Sequence, residues 1–159
     1  MYQDEVKIMM YRFKYGNRRT YAAFFADEAE KQCGDWIKRI GVEAVVPVPM
    51  YRKKERQRGY NQAAIFAREL ADAFGLACEP GAVKRIIDTK PQKELGEAER
   101  ENNLKNAFQA EEFIVKYKYI LLVDDIYTTG STAEAVARQL LAVGVEKVFF
   151  LSVCIGNGY

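Results

Sequence analysis

Apolar positions recur along this chain with two periods, and the changes between them mark the elements. Val6, Met9, Met10 and Phe13 stand at i, i+3, i+4 and i+7, one face of a helix. Gly16 and Asn17 interrupt that pattern. From about Arg19 a second helical stretch carries Ala22, Phe25, Ala26 and Ala29 on one stripe, and it is expected to continue in pieces to Ile40. Residues 44–46 form a short apolar run that ends at Pro47 and Pro49. That is the pattern of a buried strand whose prolines lie at its exit, where no ladder donor is needed. Ala63, Phe66, Ala67, Leu70, Ala71 and Phe74 mark an amphipathic helix stopped by Gly75.

The second half repeats the alternation more clearly. Residues 83–87 form a weak strand, and residues 88–96, polar and containing Pro91, form a loop. Residues 97–106 are charged, with a poor apolar stripe, and predict an exposed or mobile helix. Ile120, Leu121, Leu122 and Val123 are continuous, as in a central parallel strand covered on both faces. A turn is expected over residues 124–130. A helical stripe of Ala133, Val136, Ala137, Leu140 and Leu141 comes next and ends at Gly144, and residues 148–153 form a further buried strand. Strand, helix, strand in this order is a βαβ unit, so the fold class is α/β with a sheet that is parallel at least here.

The 159 residues are the size of one domain, and 1–159 is read as one. A hydrophobic share of 49% with 29% charged residues is that of a globular rather than a disordered chain. No apolar run approaches the roughly 20 residues of a membrane span, and residues 1–20 contain no signal-peptide core. A cytoplasmic protein is the expectation. Cys33, Cys78 and Cys154 are far apart, with no C-x-x-C spacing for zinc, and so sparse a set suits a reducing compartment. The chain has no histidine, which excludes Ser-His-Asp and Cys-His catalysis and histidine metal sites. Net charge is only +2, so no global field marks a nucleic-acid protein. Locally, Arg52, Lys53, Lys54, Arg56 and Arg58 are opposed only by Glu55: either an anion site or a solvated loop.

Chemistry concentrates in residues 120–132, ILLVDDIYTTGST. The strand delivers Asp124 and Asp125 to its C-terminal end, where α/β sheets place ligands. Thr128, Thr129, Gly130, Ser131 and Thr132 then open a helix. Exposed N–H groups, hydroxyls and the helix N-terminus attract a phosphate, and Gly130 lets the backbone approach it. Carboxylates beside a phosphate cradle repel the anion unless something lies between them. A ribose fits: its hydroxyls donate to the aspartates while its 5′-phosphate sits in the loop. Taken singly, each residue has an ordinary explanation, as a solvated strand end or a helix N-cap. A nucleotide-hydrolase strand would need a G-x-x-x-x-G-K-[ST] partner, which is absent.

This segment resembles the motif of type I phosphoribosyltransferases that binds 5-phosphoribosyl-1-pyrophosphate (PRPP). The resemblance extends further. Pro47-Val48-Pro49, Arg52, Arg56 and Arg58-Gly59-Tyr60-Asn61-Gln62, then Thr89, Gln92, Leu95, Arg100, Asn103 and Phe108, are similar to the pattern of the ComF family of competence-associated proteins. Lys14-Tyr15 resembles a K-Y element of that family. The four-cysteine zinc module with which many members begin is absent from this sequence, and so is their short Ala-Arg ending.

The resemblance implies a type I phosphoribosyltransferase-like domain, a central and mainly parallel sheet flanked by helices. It implies PRPP as ligand, with Mg²⁺ brought in with it and no direct protein ligation of the metal. Asp124 and Asp125 become the candidate catalytic residues, holding the ribose. Arg52, Arg56, Arg58 and Gly59 fall in the loop that holds pyrophosphate, where arginine offers multidentate donors. Lys90, Gln92 and Arg100 fall in the flexible hood loop, where an ordinary surface loop is an equally good reading. Enzymes of 6-oxopurine salvage carry an aspartate where Thr128 stands, so a close analogue of those is not expected and the acceptor is open. A second class of function also stands: a non-catalytic DNA-uptake factor that binds single-stranded DNA, with Tyr51 and Tyr60 stacking among the cations, or binds competence-machinery proteins.

Overall fold

A computed structural model describes residues 2–16, 19–87, 103–104 and 106–156. Two helices, α1 (Tyr2–Tyr15) and α2 (Tyr21–Ile40), precede β1 (Ala44–Pro47). Helices α3 (Arg52–Arg58) and α4 (Gln62–Phe74) come next, then the short strands β2 (Ala77–Cys78), β3 (Val83–Arg85) and β4 (Phe108–Ala110). A 3₁₀ turn (Glu112–Lys116) leads into β5 (Tyr119–Tyr127), α5 (Ser131–Val143) and β6 (Lys147–Ile155).

The main sheet has the order β2-β1-β5-β6, with every pairing parallel. Residues 120–123 pair with β1 on one side and β6 on the other, and all four are fully buried, which is why this strand reads as a continuous apolar run. Strand alternation divides them between two cores. Leu121 and Val123 join Phe13, Phe25, Phe66 and Leu70 from α1, α2 and α4. Ile120 and Leu122 join Val136 and Leu140 of α5, Phe108 of β4 and Ile114 of the 3₁₀ turn. Strands β3 and β4 form a separate antiparallel pair that packs on α5. Truncating a side chain such as Leu121 to alanine costs about 2–5 kcal/mol in cores of this kind.

Several expectations need correction. α2 is one continuous helix, and Gly34 inside it is buried facing the ring of Phe74 on α4. The basic segment after β1 is a helix, α3, not a loop. It buries no residue, so it has no apolar stripe to betray it, but its Lys, Arg, Glu and Gln are good helix formers. Strand β5 runs through Asp124 and Asp125 to Tyr127, because β6 pairs with it as far as Ile155. Leu141, placed on the α5 stripe by spacing, is 46% exposed; Ala135, Val136 and Leu140 carry the burial. Most of residues 88–106, with Lys90, Gln92 and Arg100, lie outside the described residues. Among those described, no helix is long and apolar enough to cross a membrane.

Candidate functional site

The site is the C-terminal end of two adjacent strands. The amide of Val48 donates to the carbonyl of Val123 at 2.8 Å, so the segments leaving β1 and β5 start side by side. Further along the chain, the R-G-Y-N-Q run becomes a joint. Gly59 ends α3 with φ +89°, a left-handed conformation that glycine adopts freely, and its amide donates to the carbonyl of Glu55 at 2.7 Å. Asn61 caps α4: its side chain accepts from the amide of Ala63 at 3.1 Å and donates to the carbonyl of Val48 at 3.0 Å. One residue thereby ties the start of α4 to the end of β1.

Arg58 is held differently from the other cations of α3. Its Nη1 donates to Oε1 of Gln62 at 2.9 Å, and its guanidinium lies 5.2 Å from the ring centre of Tyr15. Gln62 is fully buried, and its Nε2 has no hydrogen-bond partner among the described residues. Arg52 and Arg56 are exposed. The expected arginine group therefore divides into one anchored member and two solvated ones.

At the end of β5 the backbone amide of Asp125 donates to Oδ1 of Asp124 at 2.8 Å. Oδ2 of Asp125 pairs with Nζ of Lys14, from α1, at 2.9 Å. This pair is mostly withdrawn from water, with side chains 18% and 16% exposed, which separates it from the surface ion pairs of the molecule. Burial pushes the Asp124 carboxyl up to about 7, helped by the Asp125 charge beside it and opposed by Lys14. The Cys154 thiol, which faces the carbonyl of Asp125 at 3.7 Å, is also pushed up, chiefly by burial.

Thr128, Thr129, Gly130, Ser131 and Thr132 form the turn from β5 into α5. Gly130 has φ +80°, and a Cβ there would stand 2.7 Å from Oη of Tyr127. Oγ1 of Thr129 and Oγ of Ser131 are 2.9 Å apart. The first regular helical bond is donated by Glu134 to the carbonyl of Gly130 at 2.8 Å, so the amides of the preceding turn have no intrahelical acceptor. Two carboxylates, a hydroxyl-rich turn at a helix N-terminus and an anchored guanidinium therefore gather at the C-terminal end of the two central strands. Lys14, Tyr15 and Gln62 complete that group. Sequence alone offered only their membership of the K-Y and R-G-Y-N-Q elements, because the groups they hold are brought to them by the fold.

The phosphoribosyl transferase domain family matches residues 60–158. Competence protein F of Haemophilus influenzae is 34% identical over 155 residues, covering 92% of this chain and 66% of that protein. DNA utilization protein YhgH of Salmonella typhi is 29% identical over 96% of this chain and 68% of its own length. Competence protein ComFC of Bacillus subtilis is 28% identical over 90% of this chain and 56% of its own length. The chain thus spans roughly two thirds of the length of the curated relatives it matches, or less. Among solved structures, the glutamine PRPP amidotransferase of B. subtilis complexed with ADP and GMP covers 86% of this chain and 26% of its own, with TM-score 0.54 and 17% identity, a likeness of fold. The chain is therefore a phosphoribosyltransferase-type domain. It belongs to the ComF family within that class.

Proposed function

We propose that this domain binds PRPP with Mg²⁺ and transfers ribose 5-phosphate from it to an acceptor. The observation that carries the reading is the convergence at the ends of β1 and β5: acceptors for ribose hydroxyls at Asp124 and Asp125, amides and hydroxyls for a phosphate at residues 128–132, and an anchored cation, Arg58, on the neighbouring segment. In the reaction the bond from the ribose C1 to pyrophosphate breaks, the bonding pair leaves with pyrophosphate, and the acceptor's lone pair forms the new bond at C1. Asp124 and Asp125 would hold the ring through its hydroxyls as C1 becomes cationic. Arg58, with Gly59 giving room at the backbone and Arg52 and Arg56 nearby in α3, would balance the departing charge.

The donor set suits Mg²⁺ carried by the substrate. It offers hard carboxylate and hydroxyl oxygens, and Mg²⁺ is commonly held by one or two carboxylates together with substrate phosphates. Asp124 and Asp125 are kept for the ribose hydroxyls, so the ion would come in on the PRPP phosphates without direct ligation by the protein. Bound Mg²⁺ would neutralise phosphate charge. Titration calorimetry with PRPP and Mg²⁺ should show saturable binding, with ribose 5-phosphate competing. No heat and no thermal stabilisation at millimolar PRPP would refute the reading.

A second reading is favoured by one feature of the surface. Arg52, Lys53, Lys54 and Arg56 are exposed on α3, where they are open to a polyanion larger than PRPP. With relatives named for competence and DNA utilization, this supports a role in handling single-stranded DNA or in meeting competence-machinery proteins, with or without catalysis. Consumption of PRPP with candidate acceptors separates the two.

A further inference from the structure

Three consecutive residues at the end of α1 each hold a different part of the site. The backbone carbonyl of Phe13 accepts from the Tyr60 hydroxyl, inside the R-G-Y-N-Q joint. Lys14 reaches Asp125 at the end of β5 with an Nζ–Oδ2 distance of 2.9 Å. Tyr15 lies under the Arg58 guanidinium at the end of α3, 5.2 Å from ring centre to Cζ. The helix is itself fixed from below: Phe13 is fully buried and Met10 nearly so, and the Phe13 ring stands 5.9 Å from Phe25 and 6.3 Å from Tyr60. Its last turn is therefore a platform anchored to the core at Met10 and Phe13, with the Tyr15 ring itself largely exposed.

The chemistry explains why such a platform is useful. Two neighbouring carboxylates repel each other, and an unpaired one can turn its oxygens. A cation on the outer one reduces that repulsion and selects one orientation of its oxygens. A guanidinium destined for phosphate must be kept from wandering, and a ring beneath it does that without using its N–H donors. Lys14 and Tyr15 do these two tasks for the two halves of the site, and the Phe13 carbonyl fixes the joint between them.

We propose that the C-terminal turn of α1 is a built-in part of the ligand site, with Lys14 and Tyr15 as positioning residues for Asp125 and Arg58. This rests on the PRPP reading above. It makes a separable demand: Lys14 should matter for ligands with a ribose, and Tyr15 for ligands with a pyrophosphate.

The test is calorimetry on the whole chain with four probes: PRPP with Mg²⁺, ribose 5-phosphate, inorganic pyrophosphate with Mg²⁺, and inorganic phosphate. Lys14→Met should weaken PRPP and ribose 5-phosphate at least tenfold and change phosphate and pyrophosphate less than about threefold. Lys14→Arg, which keeps the charge, should recover most of the loss. In an Asp125→Asn background, Lys14→Met should have little further effect. Tyr15→Leu should weaken PRPP and pyrophosphate about two- to fivefold and leave ribose 5-phosphate unchanged, with Tyr15→Phe behaving as wild type. Thermal unfolding of each variant checks that the fold survives, and Lys14→Arg and Tyr15→Phe keep the test decisive if a harsher change does not. Unchanged binding in both harsh variants overturns the inference. So does an equal loss for all four probes, which is what general charge loss or distortion produces. A wild-type protein that binds neither PRPP nor ribose 5-phosphate instead overturns the functional reading, and this inference falls with it.

Discussion

Asp124 is a carboxyl group whose environment works against its charge. Burial and the neighbouring Asp125 charge raise it from 3.8 to about 7, so the folded protein holds a proton there that the unfolded chain releases in mild acid. The stabilisation linked to that proton is complete below about pH 4 and is lost as pH rises through about 7. Between pH 5 and 8 the wild type should lose roughly 1–3 kcal/mol relative to Asp124→Asn, measured by urea unfolding at several pH values. Ligand affinity should move the other way. A ribose hydroxyl donates best to a carboxylate, so binding of ribose 5-phosphate should strengthen more from pH 6 to 8 in the wild type than in Asp124→Asn, where only the ligand's own phosphate titrates. Parallel pH curves for the two proteins would show that Asp124 neither titrates here nor meets the sugar. The groups facing this carboxyl are Asp125 beside it and Lys14 from α1, and the Cys154 thiol of β6 stands by Asp125. The aspartates were legible in the sequence because a strand, a charge pair and a small-residue turn are contiguous. Lys14 was not, because more than a hundred residues separate it from Asp125.

For the elements, the turn between β5 and α5 makes the sharpest demand. Gly130 sits at φ +80°, and Tyr127 fills the space that a side chain would enter. Gly130→Ala must bear the left-handed conformation and displace a tyrosine ring, which should cost about 1–3 kcal/mol in unfolding measurements. The same change should weaken inorganic phosphate as well as PRPP, since it alters the cradle itself. Gly59, at φ +89° with open space around it, makes a control: Gly59→Asn should cost less, because asparagine tolerates this region. The long elements α4, β5 and α5 were visible because each repeats its apolar signal over several turns or over both faces of a strand. β2 and β4, with two and three residues, are too short to show a period. α3 reads as a loop in the sequence because it contributes nothing to a core. Its helical state is nevertheless what separates Arg58, turned towards Tyr15 and Gln62, from the exposed Arg52 and Arg56.

In the whole molecule, the adjacency of β1 and β5 is the fact on which the sugar-phosphate reading depends. It brings together the two aspartates, the hydroxyl-rich turn and Arg58 and, beyond them, an exposed basic helix. With a net charge of only +2 the molecule has no general attraction for nucleic acid, so any DNA affinity must be local, and α3 is the exposed basic helix that would supply it. The two roles can therefore be taken apart by mutation. Arg58→Ala removes the anchored cation and should weaken PRPP roughly 10- to 150-fold, the usual cost of one charge-assisted contact, with a smaller effect on ribose 5-phosphate, which lacks pyrophosphate. The double change Arg52→Ala with Arg56→Ala removes the solvated cations. If α3 binds DNA, that protein should lose affinity for oligonucleotides of any sequence, and the slope of log affinity against log salt should flatten by about 0.7 for each phosphate contact removed. Its affinity for PRPP should fall much less than that of Arg58→Ala. Should PRPP displace an oligonucleotide from the wild type but not from Arg58→Ala, the two ligands share the anchored arginine. Oligonucleotide affinity with the same strength and salt slope in the double variant and the wild type would leave α3 a solvated helix and the PRPP reading alone.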